Sequence, residues 1–369
     1  MLSAEVFEPA WAIYDQLLLV QAPNGMITQL MGPALPMING QYNVVAIDSE
    51  VRKPEVAGSR LNAVNVGLAF SYALEGHFLV RKDQTEFRKG SKRGAYKEAE
   101  WASWTEPFGN YVRQEGYGKN PGSSNLIGGL LAGIDGSYGL FSVGAGAGYG
   151  YNTAQYDAYL GQGTLNEQMF FTYGCYHGDR IRLNNVIWAG MYQSFTRRST
   201  LTYIVSTARP KGVVVSPHLE LAVPLKIVEP FCMVDWINDW QDQTTEADGQ
   251  GFHLVVPQHH ISVLRSEMGT RFYQVYEGKW GAFKMQEKLS YVYQVPFNLQ
   301  PLDVTYEGST TPFLVAIGSE QPQNLAALEL HASFAFPSES YPSLILDLQG
   351  EWGEFYQSYS VGFGLGKVF

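Results

Sequence analysis

Residues 358–369 read S-Y-S-V-G-F-G-L-G-K-V-F and complete the sequence. Tyr359, Val361, Phe363, Leu365 and Phe369 share one parity, and Ser358, Ser360, Gly362, Gly364 and Gly366 share the other. Such alternation belongs to a β-strand with one bulky apolar face and one small face. As the last strand of an open sheet it would present an unpaired hydrophobic edge. In a closed barrel the same strand has a neighbour on each side and lipid against its bulky face. A sandwich strand that happens to come last is the alternative reading.

Upstream, the same texture recurs back to Trp101. Aromatic-rich segments alternate with polar or Gly/Pro turns at 101–116, 124–137, 139–151, 166–178, 183–195, 213–224, 227–237, 261–273, 280–295, 324–337, 343–355 and 358–369. The even count suits an outer-membrane barrel, and the longer connections near 196–212, 238–260 and 296–323 fit its alternation of long loops and short turns. Several segments carry charge on the face opposite bulky apolar residues. Arg265, Glu267 and Arg271 oppose Leu264, Met268 and Phe272; Lys284 and Lys288 oppose Phe283 and Leu289. Glu329 opposes Leu328 and Leu330, and Asp347 and Glu351 oppose Leu346, Leu348 and Trp352. These eight residues are expected to line a wet lumen, with Leu344, Leu346, Leu348, Phe334 and Phe336 against lipid. Glu287 falls on an apolar face, and segments 101–116 and 183–195 do not sort cleanly. A soluble sandwich with polar faces outside would show the same parity.

Composition favours the membrane. Charged residues make up 16% of the 369 residues, against about 25% in a typical soluble chain, while aromatics reach 14%. The mean hydropathy of -0.14 is compatible with a membrane barrel, because alternation hides apolar residues among polar ones. No apolar run is long enough for a membrane-spanning helix. The net charge of -10 disfavours a nucleic-acid partner. Cys175 and Cys232 are too few for a disulfide framework, and their pairing stays open.

Four glycines, Gly144, Gly146, Gly148 and Gly150, occupy one face of a single segment. Glycine weakens a strand, so a comb of this kind implies a close approach, by a helix or linker in the lumen or through sharp strand curvature. Residues 1–60 are irregular, with a short helix possible over Glu8 to Gln21. Residues 61–80 are ambiguous: Val64, Val66, Leu68, Phe70, Tyr72 and Leu74 alternate as in a strand, whereas Leu61, Val64, Leu68, Tyr72 and Glu75 line one helical face. The periodicity slightly prefers the strand. A basic run from Arg81 to Lys97 reads as a solvated loop. Met1 is not followed by a secretory signal, so the barrel reading requires a longer precursor.

W-T-E-P-F-G-N-Y at 104–111, G-L-L-A-G-I-D at 129–135, L-F-S-V-G-A-G-A-G-Y at 140–149, L-R-S-E-M-G-T-R-F at 264–272 and the terminal Phe369 together resemble the C-terminal translocation domain of type V autotransporters, the class that includes the chlamydial polymorphic outer-membrane proteins. The resemblance covers 101–369. It implies an all-β, transmembrane antiparallel barrel of about twelve strands, a helix through its pore and an N-terminal passenger to be anchored and exported. It makes 61–80 the pore helix, packed on Gly144, Gly146, Gly148 and Gly150, with 61–100 comprising that helix and the basic loop. It places the protein in a Gram-negative-type outer membrane, in contact with lipid, its own passenger and the barrel-assembly machinery. Phe363, Leu365 and Phe369 become the assembly signal, although Lys367 stands where the family often has an aromatic.

No catalytic residue, cofactor or metal is expected. His259-His260 lacks a carboxylate or Cys at ligand spacing. His331 and Ser333 lie two apart on one strand face, as in outer-membrane phospholipases, but the flanking residues differ from that family. No G-x-S-x-G or P-loop occurs. A porin is the first alternative function and a barrel hydrolase the second. A lumen-filling helix separates the autotransporter from the porin, and a His–Ser pair on the outer rim would favour the hydrolase.

Overall fold

The computed structural model describes residues 37–38, 41–42, 62–77, 100–116, 122–156, 161–199, 205–225, 227–247, 253–279, 281–298, 302–307, 313–315, 322–336 and 343–368. Twelve long strands form the barrel: β1 (Glu100–Gln114), β2 (Ser123–Tyr138), β3 (Phe141–Tyr156), β4 (Gly161–His177), β5 (Arg182–Ser199), β6 (Lys211–Ala222), β7 (Val228–Gln241), β8 (His259–Gly278), β9 (Gly281–Phe297), β10 (Gln323–Ala335), β11 (Ser343–Trp352) and β12 (Tyr356–Val368). Each pairs antiparallel with its sequence neighbour. The ring closes where β12 pairs β1, from Tyr356 opposite Gln114 to Val368 opposite Ala102. The short strand Val205–Ala208 extends the β5–β6 hairpin. Closure matters because lipid offers no hydrogen bonds to a free sheet edge.

The two ends of the barrel differ. At one end β1 begins, β12 finishes, and the connections are tight. Gly139, at φ 60°, makes the β2–β3 turn in a conformation that other residues adopt reluctantly. At the other end the connections are longer. There 244–245, 254–256, 302–306 and 313–315 form a small four-stranded sheet that joins the β7–β8 and β9–β10 connections. Short turns face the periplasm and long loops the exterior in barrels of this kind.

Alternation along the strands is regular. On β12, Tyr359, Val361, Phe363 and Leu365 are exposed, while Ser358, Gly362 and Gly364 face inward. The exposed side chains form an apolar outer surface with aromatics toward both rims. Trp101, Tyr138 and Tyr276 lie near the end where β1 begins, and Tyr111, Trp352 and Tyr359 toward the opposite end, which carries the longest connections. From Trp101 to Tyr111 is about ten steps of about 3.3 Å, which at a tilt of about 40° spans about 25 Å. That height matches an outer-membrane apolar band between aromatic girdles.

Several expectations change. The strands outrun the expected segments, as in Gly161–His177 against 166–178 and His259–Gly278 against 261–273, because pairing continues beyond the membrane band. The slight strand preference of 61–80 is overturned. Residues 62–77 form a helix, α1, buried on every side. A helix apolar or uniquely partnered all round belongs in an interior, and here each direction meets wall. Strands β1 and β5 do sort: Trp104, Phe108, Val112, Val186, Trp188 and Tyr192 point inward. Their inner faces mix these large apolar side chains with Glu106, Asn110, Ser194 and Thr196, which is why the pattern was blurred. Cys175 is buried, Cys232 is exposed, and both are free thiols. The helix expected over 8–21, the basic run 81–97 and Phe369 lie outside the described residues.

Leu346, 41% exposed, sits near the middle of β11. Leu346→Arg should destabilise the bilayer-folded barrel by about 2–4 kcal/mol. Equal denaturant midpoints for variant and parent in liposomes would show that this face does not meet lipid.

Candidate functional site: the occupied lumen

Helix α1 runs along the lumen from the long-loop end to the tight-turn end. At its start Asn62 Nδ2 donates to the Tyr156 hydroxyl, 3.1 Å away at the end of β3. At its finish His77 Nε2 lies 3.0 Å from Asp135 Oδ2 and 2.9 Å from the Tyr173 hydroxyl. The His77 ring also stacks on Trp104 with centroids 3.9 Å apart.

The lumen has two chemically different walls. Strands β1 to β5 supply large apolar side chains: Trp104, Phe108, Ile127, Leu131, Leu165, Met169, Phe171 and Trp188. The helix turns Val66, Gly67 and Phe70 toward them. Phe70 meets Phe171 and Trp188 edge-on, at centroid distances of 5.4 and 5.2 Å. Strands β6 to β11 supply charge. Lys288 Nζ lies 2.8 Å from Glu75 of the helix, 2.9 Å from Glu267 and 3.1 Å from Glu329. Arg265 bridges Glu351 and Glu267, and the Tyr72 hydroxyl donates to Glu351 at 2.9 Å. Arg271 binds Glu220 at 2.6 Å and Glu229 at 3.4 Å, and Arg182 also pairs with Glu229.

The residues expected on the lumenal face can now be placed. Arg265, Glu267, Arg271, Lys288, Glu329 and Glu351 are all buried inside the ring and joined in the clusters just described. Asp347 is half-buried and receives His331 Nδ1. Lys284 is half-buried on the same parity, opposite Ser333 of β10. Glu287 is exposed on the outer face.

The glycine comb requires a correction. A Cβ on Gly148 would come within 3.5 Å of Phe70, and one on Gly150 within 2.7 Å of Val66, so these two do face the helix. On Gly144 it would strike the Tyr173 ring at 2.2 Å, and on Gly146 the Phe171 ring at 2.3 Å. Aromatic rings of β4 therefore lie in the upper slots of the comb and carry the contact on to the helix. Gly129 and Gly133 on β2 receive Phe108 and Trp104 in the same way. Gly67 meets Trp188 rather than the comb, with a built Cβ only 2.5 Å from the indole. The sequence displayed these glycines, but the cross-strand register that seats a ring on each was not visible in it.

His331 and Ser333 both face the lumen, which leaves no such pair on the lipid-facing rim. His259 donates through Nδ1 to the Pro257 carbonyl at 2.9 Å, and His260 stacks on Trp240. Among the described residues, no group of three His, Cys, Asp or Glu side chains converges as a metal-ligand set. Functional side chains that sequence reasoning missed are Trp104, Trp188, Tyr173, His77 and Asp135, whose roles arise only from apposition across the lumen. Glu75 and Tyr72 carried a signal, since both lay on the helical face recognised at 61–80.

A closed twelve-stranded barrel with girdles of aromatics, and a lumen filled by its own N-terminal helix, defines an outer-membrane translocator barrel. The autotransporter β-domain family model matches residues 103–341, and the chain belongs to that family. The fold is similar to the translocator domain of the autotransporter NalP from Neisseria meningitidis, at 14% identity and a TM-score of 0.56, covering 81% of this chain and 99% of that one. It is also similar to the β domain of the Bordetella autotransporter BrkA, at 14% identity and a TM-score of 0.53, covering 72% and 99%. No curated protein sequence matches the chain.

Two variants test the packing of α1. Lys288→Met strands Glu75 and Glu329 as buried carboxylates and leaves Glu267 to Arg265 alone, and the loss should be about 3–5 kcal/mol by denaturant unfolding. An unchanged midpoint would mean that water, not Lys288, compensates them. Gly67→Ala gains about 1 kcal/mol of helix propensity yet should be net destabilising. The added methyl overpacks Trp188, at a cost of about 1–3 kcal/mol, and a variant more stable than the parent would refute that contact.

Proposed function

We propose that this chain is the translocation unit of an autotransporter whose passenger precedes α1 in a longer precursor, and that α1 plugs the pore once the passenger has crossed. The observation that carries this reading is the direction of α1. Asn62 lies toward the long-loop mouth and His77 toward the tight-turn mouth, where β1 begins. The N-terminal side of α1 is thus the outward one, which is the side an exported passenger needs. A diffusion porin requires an open lumen, and α1, buried on all sides, argues against that role.

Within this reading the precursor carries a signal peptide upstream of Met1. The exposed Phe363 and Leu365 of β12, with the terminal Phe369, are the segment offered to the barrel-assembly machinery. Lumenal Arg265, Glu267, Arg271, Lys284, Lys288, Glu329, Asp347 and Glu351 keep the passage hydrophilic during export and then fasten the helix. No catalytic step or cofactor is assigned to the chain.

Deleting residues 1–95 tests the plug. Because β1 pairs β12 without help from α1, the truncated barrel should still assemble, and its single-channel conductance in planar bilayers should exceed that of the full chain. A truncation that fails to close would make the segment a structural wall. A folded truncation with unchanged conductance would remove α1 from the role of plug.

A further inference from the structure

Toward the tight-turn end, Gly76 of α1 lies beside two carboxylates outside the lumenal cation clusters. Glu106 of β1 is 1% exposed. A Cβ built on Gly76 would lie 2.7 Å from Asp347 Oδ2 and 3.1 Å from Glu106 Oε1. One built on Gly362 of β12 would lie 3.5 Å from each of the same two oxygens. Two glycines from different elements therefore lie against the same two carboxylate oxygens. Neither oxygen has a hydrogen-bond partner; Asp347 engages His331 through its other oxygen.

Two carboxylates that approach the same backbone repel each other, and a cation between them would relieve that repulsion. Elsewhere in the lumen Arg265, Arg271 and Lys288 provide one. Here, among the described residues, no lysine or arginine pairs with Glu106 or Asp347.

We propose that this corner is a binding site for a hard divalent cation of the calcium class. Glu106 Oε1 and Asp347 Oδ2 are its charged ligands, and water completes the shell. Calcium takes six to eight oxygens in flexible geometry, including backbone carbonyls and water. Such a shell does not need three converging side chains, in keeping with the absence of a three-residue ligand set among the described residues. Bound there, the cation ties β1 to β11 on either side of the closing strand, beside Gly76 of α1 and Gly362 of β12.

The test uses the full chain refolded in detergent and stripped of metal with a chelator, with calcium chloride alone as the probe. Calorimetric titration should show saturable binding, and the unfolding temperature should rise with calcium. Glu106→Gln combined with Asp347→Asn removes the repulsion without changing shape. This variant should fold without calcium at least as well as the parent and lose both the heat of binding and the thermal shift. Three outcomes would overturn the proposal: no calcium response in the parent, an equal response in the double variant, or stabilisation by acid with none by calcium, as a shared proton would produce. None of these outcomes alters the conductance expected on deleting residues 1–95, so the export reading is tested separately.

Discussion

Lipid cannot hydrogen-bond a peptide group, and everything else in this structure follows from satisfying that demand. Each backbone donor and acceptor within the membrane must find a partner on a neighbouring strand, and the first and last strands must find each other. The pairing of Tyr356–Val368 with Glu100–Gln114 discharges that requirement. It also decides the inside and the outside of every strand. Once the ring is closed, residues of one parity meet lipid and those of the other meet whatever fills the lumen.

Filling that lumen is a packing problem, and the chain solves it with two different walls. Strands β1 to β5 treat α1 as a core helix and pack rings against Phe70, Val66 and Gly67. Glycines on β2 and β3 let aromatic side chains lie flat, so that Trp104, Phe108, Phe171 and Tyr173 form a layer between sheet and helix. Strands β6 to β11 instead meet Glu75 and Tyr72 with a charged lattice centred on Lys288 and Arg265. Helix and wall are complementary in polarity around the circumference as well as in shape.

The charged wall explains how one surface can serve two conditions. Buried ion pairs offset their desolvation only when geometry is good and charges are answered; one ammonium, Lys288, serves Glu75, Glu267 and Glu329, and Arg265 reaches Glu267 from its other side. The same groups would be well solvated in a water-filled pore, so an empty lumen would not collapse on itself. An entirely apolar interior would hold a helix but would resist hydration and the passage of a polar chain. The mixed lining suits a conduit that ends by holding a helix.

What the sequence determined by itself was local. A period of two is a property of one strand, so the lipid-facing residues of β12, the inward charges of β8 to β11 and the strand count were legible without a fold. The autotransporter likeness rested on the order of those segments. Three features needed tertiary structure because each joins residues distant along the chain. Residues 62–77 alternate almost as well as a strand, and they are a helix because the lumen surrounds them with partners on all sides. Strands β1 and β5 looked unsorted because an apolar helix face draws large apolar side chains to their inner side, among polar ones such as Glu106 and Asn110. The glycine comb announced a close approach but not its partner, since the register between β3 and β4, set by closure of the whole ring, is what lays Phe171 and Tyr173 on Gly146 and Gly144.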